Sequence, residues 1–168
     1  MLFSLFSPQK INNQQAKPEA QGTFPYGLRD EFLSPAELSF YKVLLHCVPD
    51  GHSVICKVRL GDIFYVKQPH QNRGARNKIQ MKHVDFLICD SVVMQPKLAI
   101  ELDDSTHNNA KTKERDAFVD QVYAAAELPV LHLKAERSYS TETLKTKISQ
   151  ALGLNESASE PPPLNSVS

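Results

Sequence analysis

The chain has 168 residues, 41% hydrophobic and 23% charged, and its 19 basic and 19 acidic side chains give a net charge of zero. That length suits one domain with tails, and the apolar content is enough for a core that needs no disulfide or metal staple. Zero net charge excludes a global electrostatic drive toward nucleic acid, so such a partner would have to be gripped by a local patch.

The apolar start, Met1 to Ser7, is too short to span a bilayer and lacks the charged beginning of a secretory signal. A cytoplasmic protein without a membrane partner is expected. Residues 1–32, rich in Gln, Asn, Pro and Gly beyond the first few, read as a flexible leader, and residues 154–168 as a disordered tail. The folded unit is expected over residues 33–153. It opens with Ser34-Pro35-Ala36-Glu37, a capping box with proline at the first helical position. Leu38, Tyr41, Val43, Leu44 and Leu45 follow with helical spacing until Pro49-Asp50-Gly51.

Alternation of Val54, Cys56 and Val58 predicts a strand, and residues 67–81 read as a long polar loop. Two apolar runs, Val84–Cys89 and Leu98–Asp103, are further strands joined by a turn containing Pro96. Lys111–Glu127 is helical by period, with either Phe118, Val122 and Ala126 or Val119 and Tyr123 on the buried side. Pro129 stops it, Val130–Leu133 is a short strand, and Thr141–Leu152 is a last amphipathic helix capped by Gly153. The order α-β-β-β-α-β-α predicts an α/β (α+β) fold with a mixed four-stranded sheet flanked by helices. Cys47, Cys56 and Cys89 are odd in number and form no C-x-x-C pair, which argues against a zinc ribbon or a disulfide framework.

Charge is unevenly distributed. From Lys57 to Val84 seven basic residues face only Asp62, a net +6, and from Asp85 to Glu127 nine acids outnumber four bases. A basic stretch beside an acidic one suits a phosphate-gripping surface next to a metal site, although a solvated loop followed by a charged helix has the same composition. Asp85, Glu101 and Asp103 interrupt strand cores that should be apolar, and Glu101 and Asp103, two apart, share a face. Buried carboxylates need a partner or a metal, and oxygen ligands suit Mg²⁺ or Mn²⁺. His107, just after the second apolar run, is a candidate general acid or base. Arg115 and Asp116 begin the following helix as supporting residues, and Asp120 shares a side with Asp116. Asp120 reads chiefly as an acid favouring the N-terminal half of that helix, and the histidines, His132 among them, show no metal-ligand spacing.

These residues carry a family resemblance. Leu33–Glu37, Lys57-Val-Arg59, Val84-Asp-Phe86, Ala99–Asp104 with His107, Arg115-Asp116 and Leu128–Leu131 resemble the bacterial domain of unknown function 2726. That domain is similar to the very-short-patch-repair (Vsr-like) endonucleases and other members of the restriction-endonuclease-like PD-(D/E)XK group. The resemblance implies an αβββαβ core and a metal-dependent nuclease acting on DNA. It makes Asp85 and Glu101 the metal-binding acids, His107 a proton shuttle, and Glu37 a first-helix glutamate reaching the site. Asp103 stands where the usual motif has lysine. Lys57, Lys82 or His107 is then left to take over that lysine's role. Lys57, Arg59, Arg73, Arg76, Lys78 and Lys82 are the expected contacts to nucleic-acid phosphates. Two rivals remain: a nuclease-like fold that binds nucleic acid or a protein without cleaving, and an interaction module whose acids pair with internal bases.

Overall fold

The computed structural model describes residues 24–103 and 110–154, with the backbone alone for 110–115. The chain divides into two units between Phe32 and Leu33. In the first, the rings of Phe24 and Tyr26 stack at 6.4 Å. His107, the Arg115 side chain and the expected tail beyond Leu154 lie outside the described residues.

The second unit runs α1 (Pro35–Leu44), β1 (His52–Arg59), α2 (Leu60–Ile63), α3 (Ala75–Ile79), β2 (His83–Asp90), β3 (Pro96–Asp103), α4 (Ala110–Ala125), β4 (Val130–Lys134) and α5 (Thr141–Ala151). The strands form one mixed sheet in the order β1-β2-β3-β4, antiparallel except for the parallel β3–β4 pair. Two short helices thus stand between the first two strands, and the second of them, α3, lies within residues 67–81, where a polar loop was expected. The five residues of α3 carry one apolar anchor, Ile79, which is 5% exposed. One anchor in five residues leaves no period to read.

Local chemistry explains the element ends. The Ser34 hydroxyl accepts from the Glu37 amide at 3.3 Å while the Ser34 amide donates to Glu37 Oε2 at 2.8 Å, so the capping box closes. In the β2–β3 turn, Asp90 Oδ1 accepts from the amides of Val92 and Val93, each at 2.9 Å. This carboxylate-closed turn holds the hairpin together. At the end of α5, Gly153 takes φ 70°, and the Leu154 amide donates to the Ser149 carbonyl at 2.8 Å. Glycine adopts that left-handed conformation without a Cβ penalty.

The sheet separates two apolar cores. On one face Phe40 and Leu44 of α1 and Leu144 and Ile148 of α5 pack on Phe86, Ile88, Leu98 and Ile100. On the other, Leu60, Ile79 and Tyr123 of α4 pack on Leu87, Cys89 and Ala99. Tyr123 is fully buried whereas Ala126 is exposed, so the apolar stripe of α4 follows the Val119–Tyr123 line, with Phe118 and Val122 at its margin. All three cysteines are free thiols. Among the described residues no helix is long and apolar enough to cross a membrane.

Candidate functional site

Alternation in β3 places Glu101 opposite in direction to Ile100, on the α4 side of the sheet, whereas Asp85 of β2 lies where alternation breaks, between Val84 of the α4 core and Phe86 of the α1–α5 core. Their strands pair in register from Phe86↔Ile100 toward the turn, and that pairing does not continue to Asp85 and Glu101. Where it stops, Asp85 takes over the role of a ladder acceptor: its Oδ2 accepts the Leu102 amide at 2.9 Å. A carboxylate therefore sits where a main-chain carbonyl would have been.

The other oxygen of Asp85 meets Lys57, whose Nζ lies 3.2 Å from Oδ1. The same ammonium pairs with Glu37 of α1. Lys57 lies in mid-strand yet has φ 55°. For a residue with a Cβ this left-handed conformation costs about 1–2 kcal/mol, and it persists where surrounding contacts hold it. Its effect is visible in the packing: Cys56 joins the α1–α5 core, whereas Val58, two residues on, joins the α4 core. Sequence reading offers Lys57 both as a phosphate contact and as the cation that replaces the motif lysine; the structure turns it onto two carboxylates, Glu37 and Asp85. Glu37, for its part, is both a cap and a member of this cluster.

Glu101 receives a hydrogen bond from the Tyr123 hydroxyl at 3.1 Å. Burial, reinforced by the negative charge of Asp85, pushes its carboxyl up to about 7, against the lowering effect of Tyr123. Burial also raises Asp85, even though the Leu102 amide and Lys57 favour its ionised form. Burial disfavours ionised Glu37 too, but hydrogen bonds from Lys57 and Ser34 outweigh it and hold this carboxyl below the usual range. The Lys57 ammonium is disfavoured by burial, yet its two carboxylate partners raise it above the ordinary lysine value. The cluster is thus a charged Glu37–Lys57 pair beside two acids that resist ionisation.

Asp103 is placed elsewhere. Its Oδ2 lies 3.7 Å from Nδ1 of His132 on β4, and Nε2 of that ring lies 3.0 Å from Asp120 Oδ1 of α4. His132 is the register partner of Glu101 in the parallel β3–β4 pair. Sequence reading gave His132 no zinc role and Asp120 chiefly a helix-end preference; the two meet because the α4 crossover returns the chain beside β3. The one legible signal was that a parallel β4 has to pair with β3 across from the Glu-x-Asp stretch.

Arg59, Arg73, Arg76 and Lys78 are exposed along the β1 end and the α3 segment, and the Lys78 ammonium lies over the Phe118 ring at 5.7 Å. Lys82 is half-buried and Asp116 exposed, and each has an interaction partner. A cavity of about 810 Å³ lies between the α2–α3 segment and α4 near Pro96, at the other end of β3 from Asp103. None of the three candidate acids lines it.

Among the described residues no three His, Cys, Asp or Glu side chains are grouped to hold a metal ion. A two-carboxylate set still fits Mg²⁺, which keeps several waters and binds through one or two carboxylates together with substrate phosphate. Asp85 and Glu101 have that chemistry: two acids on neighbouring strands, each made harder to ionise by burial and, for Glu101, by the other's charge. A divalent cation relieves both effects. The family described as Protein of unknown function (DUF2726) matches residues 29–152. No curated protein and no solved structure matches the chain.

Proposed function

Because the chain belongs to the DUF2726 family, whose description assigns no activity, we propose from its site that it is a divalent-metal-dependent nuclease hydrolysing DNA phosphodiester bonds. The observation that carries this reading is the pair Asp85 and Glu101 where the β2–β3 ladder stops, close enough for the charge of Asp85 to hinder ionisation of Glu101, with the Lys57 ammonium alongside Asp85. The restriction-endonuclease-like core is part of the same proposal and agrees with the mixed sheet and its strand order.

In this reading Asp85 and Glu101 hold Mg²⁺ or Mn²⁺, which when bound polarises the phosphodiester and lowers the pKa of the attacking water. Lys57 supplies from β1 the cation that the Glu-x-Asp stretch lacks, offsetting charge on the phosphorane oxygens. Arg59, Arg73, Arg76 and Lys78 contact backbone phosphates and fix position without reading sequence.

A second reading has one observation in its favour. Lys57 already contacts Asp85 at 3.2 Å, an arrangement that also suits a nuclease-like domain that binds nucleic acid without cutting it. Nicking of supercoiled plasmid with Mg²⁺ or Mn²⁺, wild type beside Glu101→Gln, separates the two. The nuclease reading expects nicking by wild type alone. Absence of nicking together with salt-sensitive DNA binding would establish the second reading instead.

A further inference from the structure

We propose that His132, held by Asp120, is the proton acceptor for the attacking water. The inference rests on the nuclease reading and adds to it a residue from a different strand. Asp120 Oδ1 lies 3.0 Å from Nε2, and an ionised carboxylate only accepts hydrogen bonds. Nε2 therefore carries the proton of the neutral ring, and Nδ1 is left with its lone pair. This nitrogen faces Asp103 Oδ2 at 3.7 Å, too long for a hydrogen bond between them. A water placed between these two acceptors would donate one O–H to each. The ring is half-exposed, with 39% of its side chain open to solvent, and is the register partner of Glu101. A water there would stand on the Glu101 side of the two acids that would receive the phosphodiester.

The step balances. The water oxygen forms the new bond to phosphorus, and one of its protons passes to Nδ1. The P–O bond to the leaving sugar oxygen breaks with its electron pair, and that oxygen takes a proton from solvent. The imidazolium so formed lies between two carboxylates, Asp103 and Asp120, which stabilise its charge. His132 then returns its proton to solvent. Among the described residues the charged groups around the ring are Glu101 and Asp103 on β3, Asp120 on α4 and Lys134 on its own strand.

The test is plasmid nicking with Mg²⁺ by wild type and His132→Ala, with and without added imidazole, folding being checked by far-UV circular dichroism. His132→Ala is expected to lower kcat by about 10²–10⁴-fold with KM little changed. Imidazole is expected to restore a measurable part of the rate. Asp120→Asn, which no longer fixes the Nε2–H tautomer, should lower kcat in the same direction. Nicking by His132→Ala at the wild-type rate overturns the proposal and leaves the nuclease reading intact. A loss that imidazole does not reverse in a folded variant also overturns it, since a structural role predicts that result. Absence of nicking by wild type removes both readings together.

Discussion

Tyr123 donates its hydroxyl proton to Glu101 Oε1 across 3.1 Å, joining a fully buried core residue of α4 to the acid whose ionisation the fold most resists. The contact fixes the Glu101 carboxyl against the α4 side of the sheet and favours its charged form. Tyr123→Phe keeps the packing and removes this bond. It should destabilise the protein by about 1 kcal/mol in urea unfolding. The Glu101 carboxyl should then titrate above its present value of about 7, as read by carbon NMR of the side chain.

The raised Glu101 pKa also sets a pH dependence. In the unfolded chain this carboxyl ionises near 4.5; folded, it does so near 7. The stability associated with its protonated form is therefore fully present below pH 4.5 and is lost as pH rises through 7, up to about 3 kcal/mol. Glu101→Gln cannot ionise and should escape that loss. The difference in unfolding free energy, variant minus wild type, should grow between pH 4.5 and 7 and then level off. A flat difference across that range would show that Glu101 is not held in its neutral form.

Divalent binding should reverse the same effect. At pH 7.5, millimolar Mn²⁺ should raise the Tm of wild type through its preference for the folded state, and leave Glu101→Gln and Asp85→Asn nearly unmoved. Differential scanning calorimetry with Mn²⁺ and with Ca²⁺ in parallel measures it. Equal shifts in all three proteins would place the ion elsewhere.

Removing the lysine tests the ionic cluster. Lys57→Met leaves Glu37 and Asp85 facing each other without a cation. A loss of about 1–3 kcal/mol is expected, below the roughly 3–5 kcal/mol of a deeply buried pair, because 24% of the Lys57 side chain meets water. Adding Asp85→Asn to that variant should recover part of the loss, a coupling that a double-mutant cycle in urea reads directly.

Ser34→Ala removes one half of the capping box and should cost about 1 kcal/mol. It should also weaken the hold of Glu37 on Lys57. Proton NMR of the Lys57 ammonium, or of the Glu37 amide, would register that coupling.

Features legible in the sequence are those set by near neighbours. The capping box Ser34–Glu37, the Asp90 turn and the Gly153 cap each involve residues within a few positions, and local chemistry decides them. The three long strands and three long helices follow from period. Other features were hidden because they are set by distant chain or by backbone conformation. The inward turn of Lys57 depends on φ 55°, which nothing in Cys56-Lys57-Val58 signals. His132 and Asp120 are 12 residues apart and meet only through the parallel crossover. Tyr123 read as core, and it is core, but its hydroxyl reaches past the apolar stripe to Glu101.

Glu37 has two oxygens and two duties: Oε2 receives the Ser34 amide, and Oε1 the Lys57 ammonium. Fraying of the first turn of α1 therefore loosens the acidic cluster in the same event, because both contacts hang on one side chain. Hydrogen exchange at the Glu37 amide would then report on the chemistry of a strand twenty residues downstream.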